Sequence, residues 1–268
     1  MERIRKVIVS GTPYQQGVLH GKAFPDLILK NLELIRTDMT KGNPDMSLYD
    51  EIFSENSKFF REKYPEQWEE MKGISEGAEL PFEDIVLLNI PIYFMKPFYA
   101  RECTMLYARG KATADGCGYM IKNRDLDMPV ESITVEHHYD DGMSIVACGL
   151  AGIITYPSLG VNNYGLTVSS TGTATCLPPG ESLSGDVTAK REDFSDSNIF
   201  LNLHHVLRDC TSVRSALEYL KTYPRMNGLN VLMADEKDAV AVEMTRTDYR
   251  VEWIGESDII FRTNHYLL

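Results

Sequence analysis

Cys103 and the residues that follow it are the part of this chain whose side-chain types could perform covalent chemistry. The cysteine stands in Arg101-Glu102-Cys103-Thr104, and about twenty residues later the chain reads Lys122-Asn123-Arg124-Asp125. A free thiol has a pKa of about 8.5, so a cysteine that attacks a carbonyl carbon needs a neighbouring group to take its proton. We therefore treat Cys103 as a candidate nucleophile, with a buried structural cysteine as the alternative. The other four cysteines lack this context and are predicted to be core or loop residues.

The cations of the second segment are candidates for substrate binding. Lys122 and Arg124 could bind a substrate carboxylate or stabilise a thiolate, and a solvated strand face explains them equally well. Metal binding is not predicted. His20, His204 and His205 fall on predicted helices, where packing or a surface position is the common role. His137 and His138 are adjacent on a predicted strand and would point to opposite faces, so they cannot both bind one ion.

Composition limits the classes of partner. A net charge of −12 over 268 residues argues against nucleic acid and against an anionic membrane surface. Five cysteines without regular spacing predict neither a disulfide framework nor a zinc site, and they favour a reducing cytoplasm. The N-terminus lacks the features of a signal peptide. No apolar stretch is close to the length of a membrane span, which is about 18 residues.

The first hundred residues are predicted to be mostly helical. A short strand over 4–9 and a turn around Pro13 precede a helix over about 15–38. Gly17 and Gly21 lie inside that helix, where glycine costs about 1 kcal/mol relative to alanine, so they indicate close packing. Further helices are predicted over 48–63, 65–78 and from Pro81 to residue 90.

From Cys103 onward the pattern changes to short apolar or alternating segments bounded by turn residues. Antiparallel strands are predicted over 103–108, 117–124, 131–139, 143–149, 152–156 and 165–171. A long loop at 176–194 leads to helices at 197–209 and 212–222, and strands follow at 229–234, 239–244, 249–253 and 258–263. This order predicts an α+β fold of two sheets with helices outside.

Several short segments carry a family resemblance through their order and spacing. They are 11–21, 70–78, 84–89, Cys103-Thr104, 121–125, 160–166, 230–235, Val242-Glu243 and Thr263-Asn264-His265. Together they span essentially the whole chain and resemble the acyl-coenzyme A:6-aminopenicillanic acid acyltransferase (isopenicillin N acyltransferase) family, peptidase family C45. The resemblance implies the αββα sandwich of N-terminal nucleophile (Ntn) hydrolases, shared with bile salt hydrolases and penicillin V acylases.

Members of this family cut their own chain just before the nucleophile. The resemblance therefore implies cleavage between Glu102 and Cys103, a mostly helical pro-segment at 1–102 and a catalytic core at 103–268. The freed α-amine, with an ordinary pKa of about 7.7 to 8.0, would act as the base for the thiol of the same residue. Glu102 stands where the best-known members have glycine. Similar proteins usually continue well past Thr263-Asn264-His265, so we expect a core truncated at its C-terminus.

The resemblance also implies roles for Asp125 and Asn264. Asp125 would lie beside the nucleophile and orient its amine; a hairpin cap or an ion pair is the alternative, and Asp127 is the rival if the alignment is displaced by two residues. Asn264 would stabilise the oxyanion of acyl transfer, and a simple turn residue is its alternative. Bile salt hydrolases carry an arginine at the position of Lys122.

The combined prediction is a self-processing cysteine hydrolase or acyltransferase that needs no cofactor. Cys103 would attack a small-molecule acyl amide or acyl thioester, and water or an amine would take the acyl group from the resulting thioester. One alternative is an uncleaved, non-catalytic protein that binds a small ligand on the same scaffold. Another is a cysteine–histidine peptidase, which needs a histidine close to Cys103 in space.

Overall fold

The computed structural model describes most of the chain. The described residues are 5–39, 46–90, 101–126, 129–173, 202–223, 228–245 and 248–268. The loop predicted at 176–194, the first part of the helix predicted at 197–209, and Asp127 lie outside these ranges.

Two β-sheets packed face to face form the centre of the protein. The strands are β1 Arg5–Ser10, β2 Arg101–Gly110, β3 Gly116–Leu126, β4 Ser132–His138, β5 Ser144–Leu150, β6 Leu159–Asn162, β7 Thr167–Gly172, β8 Leu229–Ala234, β9 Ala239–Met244, β10 Tyr249–Trp253 and β11 Ile259–Arg262. The larger sheet has the order β1-β4-β5-β6-β7-β8-β9-β10, and the smaller has the order β11-β2-β3. Neighbouring strands are antiparallel except β1, which runs parallel to β4.

Helices cover the side of the larger sheet that faces away from the smaller one. They are α1 Pro13–Ala23, α2 Pro25–Met39, α3 Met46–Lys63, α4 Pro65–Ala78, α5 Phe82–Asn89, α6 Leu203–Asp209 and α7 Val213–Thr222. Side chains of α2 to α7 share one apolar core with that face of the sheet. A second core, between the sheets, takes its residues from β2, β8, β9 and β11 and includes Ile254, directly after β10. Alternate residues of β8 and β9 therefore belong to different cores.

The predicted α+β sandwich of two sheets flanked by helices is confirmed. Within the described residues the helices lie on the larger sheet. The outer face of the smaller sheet presents Tyr119, Ile121 and Phe261, each at least half exposed, to the surface. None of the described helices is both long and apolar enough to cross a lipid bilayer.

Two predicted elements differ from the structure. The single helix predicted over 15–38 is two helices, because Pro25 lacks a backbone N–H and its ring cannot fit a helix interior, so it begins α2 instead. The strand predicted over 152–156 is a turn, in which Gly152 adopts a φ of 86°. The next strand in the sheet is β6, a few residues later.

Helices α1 and α4 pack backbone against backbone, as the glycines of α1 predicted. A Cβ atom on Gly17 would lie 2.0 Å from the carbonyl oxygen of Glu70, and one on Gly73 would lie 2.1 Å from that of Tyr14. Thr12 begins α1 with a capping box, in which its side chain and that of Gln15 bind each other's backbone N–H. The packing of α1 against α4 fixes the position of Glu70 relative to the sheet.

Candidate functional site

Strand β2 directs Cys103 into the space between the sheets. Side chains of a strand alternate between its faces, so Cys103 and Met105 point the same way. Cys103 is 8% exposed and Met105 is fully buried. Cys103 lies opposite Arg124 in β3, and Met105 lies opposite Lys122. Because opposite residues of an antiparallel pair project to one face, both cations share the face of the thiol.

Lys122 and Arg124 connect the smaller sheet to the larger one. Nζ of Lys122 donates a hydrogen bond to the carbonyl oxygen of Ser170 in β7, at 2.6 Å. The guanidinium of Arg124 donates to Oγ of Ser158, at 3.4 Å. These two predicted substrate-binding residues therefore line the space beside Cys103, with polar partners in β7 and directly before β6.

Asp125 lies on the other face of the smaller sheet. It is opposite Glu102 in the β2–β3 pair, so its side chain projects away from the thiol, and it is exposed. Its carboxylate accepts a hydrogen bond from Nδ2 of Asn123 at 2.8 Å. The structure therefore does not bring Asp125 to Cys103, in contrast to the position that the family resemblance implied. The residue opposite Cys103 in β3 is Arg124, one position before Asp125.

Asn264 contacts the backbone of the candidate nucleophile. Its Oδ1 accepts the N–H of Cys103 at 2.5 Å, and its Nδ2 donates to the carbonyl oxygen of Gly172 at 2.6 Å. One side-chain amide thus bridges β2 in the smaller sheet and the end of β7 in the larger sheet. Within the described residues, no histidine side chain forms a hydrogen bond with Cys103, so the arrangement lacks the contact that a cysteine–histidine pair requires.

Buried polar side chains hold the segment that carries Asn264. Nδ2 of Asn230 donates to the carbonyl oxygens of Thr263 and His265, each at 2.9 Å. Oγ1 of Thr171 donates to the same Thr263 oxygen at 2.6 Å. The chain on both sides of Asn264 is therefore fixed to β7 and β8.

Glu243 anchors the same segment from β9. Its carboxylate accepts the N–H groups of Leu267 and Leu268 at 2.9 to 3.0 Å. It also pairs with Nε of Arg262 at 2.8 Å, with both side chains 2% exposed, and Glu252 pairs with the same guanidinium. The sequence had indicated motifs at 230–235 and 242–243 without a role for them. The available signal was a single polar residue inside an apolar strand, which is costly to bury unless it has partners.

A second polar cluster lies on the helical side of the larger sheet. Glu70 of α4, His137 of β4 and His204 of α6 are all buried, and their candidate ligand atoms lie within 4.8 Å of one another. Burial raises the pKa of Glu70 to about 8 and lowers the pKa of His204 to about 3. Burial, with the neighbouring histidines, also holds the pKa of His137 well below its usual value. The three residues come from distant segments, so no sequence spacing could reveal the cluster.

A cavity of about 290 Å³ opens beside this cluster and not beside Cys103. Its lining includes Tyr64, Gln67, Glu70, Tyr139, His204 and Arg208. The described part of the chain thus contains two polar sites, one between the sheets and one under the helices.

Comparison with known proteins places the sequence in a family. The profile of the family described as acyl-coenzyme A:6-aminopenicillanic acid acyl-transferase matches residues 112–268, more than half of the chain. Penicillin V acylase from Agrobacterium tumefaciens is 13% identical, with 59% of this chain and 43% of that one covered and a TM-score of 0.30. A variant of conjugated bile acid hydrolase from Clostridium perfringens is 14% identical, with coverages of 59% and 44% and a TM-score of 0.31. The match therefore spans less than half of either structure's chain.

Proposed function

The chain belongs to the acyl-coenzyme A:6-aminopenicillanic acid acyl-transferase family, and from this membership we propose that it is a self-processing cysteine hydrolase or acyltransferase. Its substrate would be a small acyl amide or acyl thioester, attacked by Cys103. The observation that carries the proposal is the hydrogen bond from the backbone nitrogen of Cys103 to Oδ1 of Asn264. That nitrogen is the atom that becomes an α-amine when the bond to Glu102 breaks.

Self-processing would begin with the thiol of Cys103 and the carbonyl carbon of Glu102. Sγ adds to this carbon, the C–N bond breaks, and the nitrogen of Cys103 takes up a proton. The product is a thioester between Glu102 and Sγ. Water then adds to the thioester and releases the carboxylate of Glu102 and the free thiol. The outcome is a segment of 102 residues and a remainder that begins with Cys103.

Substrate turnover would use the new α-amine as the base. An α-amine is substantially neutral near pH 8, so it can take the proton of the thiol and later give it to the leaving nitrogen. Asn264 contributes in two ways. Its Oδ1 orients the amine, and its amide nitrogen has two N–H donors, of which one binds Gly172. We assign the second donor to the oxyanion that forms when Sγ attacks the acyl carbon.

The charged residues of β3 have separate roles in this proposal. Lys122 and Arg124 bind an anionic part of the substrate, since both share the face of the thiol. Asp125 acts after processing. In the uncut chain the backbone of Asp125 lies opposite that of Glu102 in the β2–β3 strand pair. Cleavage breaks the bond between Glu102 and Cys103. The end of β3 then loses its partner and is able to bring its carboxylate to the new ammonium group, whose pKa it raises.

The second candidate function is an uncleaved protein that binds a small ligand. The observation in its favour is the position of the cavity of about 290 Å³, which lies under the helices and away from Cys103. In that case the chain does not process itself and Cys103 is a packing residue.

Intact mass spectrometry separates these two functions. We expect the wild-type chain to yield two pieces, of 102 and 166 residues, and Cys103→Ala to remain whole. Cys117→Ala is the matched control, because Cys117 is an exposed free thiol on the same hairpin, and it should be cut like the wild type. Circular dichroism should confirm that all three are folded. An uncut wild-type chain whose Cys103 does not react with iodoacetamide would contradict the enzymatic proposal and favour the binding protein.

A further inference from the structure

The cluster of Glu70, His137 and His204 joins three separate elements of the fold. Glu70 comes from α4, His137 from β4 and His204 from α6, and each side chain is no more than 2% exposed. Their candidate ligand atoms lie within 4.8 Å of one another. In tetrahedral zinc sites the metal–ligand bonds of about 2.0 to 2.2 Å place ligand atoms about 3.3 Å apart. Side-chain movements of about one ångström would therefore bring these three atoms to coordination distance.

Two atoms of the cluster are buried without a hydrogen-bond partner among the described residues. They are Oε1 of Glu70 and Nδ1 of His204. Oε1 of Glu70 lies 3.7 Å from Nδ1 of His137, which is beyond hydrogen-bond distance. Buried polar atoms in proteins almost always have a partner, so two unsatisfied polar atoms in one cluster are consistent with a bound ligand.

Surrounding residues fix the orientation of both imidazole rings. Oε1 of Gln16 lies 2.9 Å from Nδ1 of His137, and Nε2 of the same glutamine donates to the carbonyl oxygen of Gly11. Oε1 of Gln16 is therefore an acceptor, Nδ1 of His137 carries the proton, and the lone pair of this ring is on Nε2. Nε2 of His204 lies 2.7 Å from the hydroxyl of Tyr139. Partners of this kind on the second ring nitrogen are typical of histidines that bind metals.

We propose that Glu70, His137 and His204 form a binding site for a divalent transition-metal ion, with zinc as the best match to the donor set. Two imidazoles and one carboxylate are a known set of three protein ligands for zinc, in which the fourth position holds water or a ligand. The cavity of about 290 Å³, whose wall includes Glu70 and His204, provides space for that fourth ligand.

The charges around the cluster permit a cation. The arginine of the cavity wall, Arg208, stacks over the ring of Tyr139 and pairs with Asp141 at 2.7 Å, so its charge is compensated. The other charged residues of the cavity wall are Lys63, Glu66 and Asp209, with one positive and two negative charges. A bound ion would link α4 to β4 and α6, and α1 would be held in place by its glycine contacts with α4. The position of these two helices, which precede Cys103 in the chain, would then depend on the metal.

The test is metal binding by the full chain after treatment with a chelator. We expect the wild type to bind one equivalent of Zn²⁺, to gain thermal stability from it, and to give visible absorption with Co²⁺ typical of tetrahedral coordination. Glu70→Gln keeps the shape of its side chain and His204→Gln keeps a polar side chain of similar length, and each should weaken Zn²⁺ binding about 100-fold. His205→Gln, next to His204 in α6, and Cys103→Ala, which removes the candidate nucleophile, should bind Zn²⁺ like the wild type.

Two outcomes would overturn the proposal. One is a folded wild-type protein that binds less than a stoichiometric amount of Zn²⁺ and of Co²⁺. The other is binding that stays unchanged in Glu70→Gln and His204→Gln but is lost in Cys103→Ala, which would assign the metal to the thiol. Circular dichroism of each metal-free variant shows whether a loss of binding reflects a loss of fold. All readouts are independent of enzymatic activity, so they stand whether or not the chain processes itself.

Discussion

The side-chain oxygen of Asn264 accepts the backbone N–H of Cys103, although the two residues are 161 positions apart in the chain. Asn264 lies just after β11, in a segment held by Asn230 and Glu243 from the larger sheet. The position of the candidate nucleophile is thus determined by both sheets. A change that loosens the segment after β11 would act on Cys103 without touching its thiol.

Asn264→Ala should slow both self-processing and turnover. The variant loses the acceptor for the nitrogen of Cys103 and the amide assigned to the oxyanion, and loss of one such donor costs about 10²- to 10³-fold in rate. Asn264→Asp keeps an acceptor but has no N–H donor, so it should orient the amine and still be slow with substrate. Rates of chain cleavage by mass spectrometry and kcat with an acyl amide are the measurements.

The matched control is Asn163→Ala. Asn163 is an exposed asparagine that binds the backbone of Ser144 and Gly142 in a hairpin, far from Cys103 in the sheet order. Its rates should equal those of the wild type. If Asn264→Ala also processed itself and turned over substrate at the wild-type rates, Asn264 would have no role in the mechanism.

The sequence predicted the sandwich and most elements because their signals are local. Alternation of apolar residues, turn glycines and helix-starting prolines each act within a few residues. The face on which Asp125 lies is not a local property. It depends on the register between β2 and β3, and a shift of one residue reverses it. Family resemblance gave the residue type at this position but not its direction.

The contacts that support Asn264, and the cluster under the helices, could not be predicted from the sequence for a related reason. Glu70, His137 and His204 are brought together by the packing of three elements that share no sequence pattern. Glu243 has the signal of a charge within an apolar strand, but its partner Arg262 is on another sheet. Such contacts follow from tertiary structure, which short-range spacing does not encode.

Glu243→Gln should destabilise the protein by about 3 kcal/mol, because it leaves the buried guanidinium of Arg262 without its buried charge partner. The backbone of Leu267 and Leu268 also loses an anionic acceptor. Urea unfolding measures the free energy. Glu252→Gln is the control, since Glu252 pairs with the same arginine but is 46% exposed, and its loss should cost less than about 1 kcal/mol. Equal losses in both variants would show that burial does not govern this ion pair.

Gly17→Ala should destabilise the contact between α1 and α4. Alanine is favoured over glycine in a helix by about 1 kcal/mol, but the new Cβ would meet backbone that cannot rotate away. The Cβ position is 2.0 Å from the carbonyl oxygen of Glu70, and overpacking of this kind costs about 1 to 3 kcal/mol or more. We expect a net loss of about 2 kcal/mol in urea unfolding. Lys22→Ala, on the exposed side of α1, should change stability by less than about 0.5 kcal/mol, and a stabilised Gly17→Ala would contradict the close packing.

His20 should make the protein sensitive to acid. Its ring is fully buried, Nε2 accepts the N–H of Gly152 at 3.2 Å, and burial lowers its pKa from 6.5 to about 4. Between these two pH values the unfolded chain binds a proton that the folded chain does not, so stability falls as the pH is lowered through this window and is fully present above it.

The size of this effect follows from the shift in pKa, which corresponds to about 3 kcal/mol between pH 6.5 and pH 4. His20→Gln retains an acceptor for Gly152 but does not titrate. We therefore expect the stability of the wild type relative to His20→Gln, measured by urea unfolding, to fall by about 3 kcal/mol over that range. Lys22→Gln on the same helix is the control, because lysine keeps its charge throughout. A difference between wild type and His20→Gln that stays constant with pH would mean that His20 is protonated to the same extent in the folded and unfolded chains.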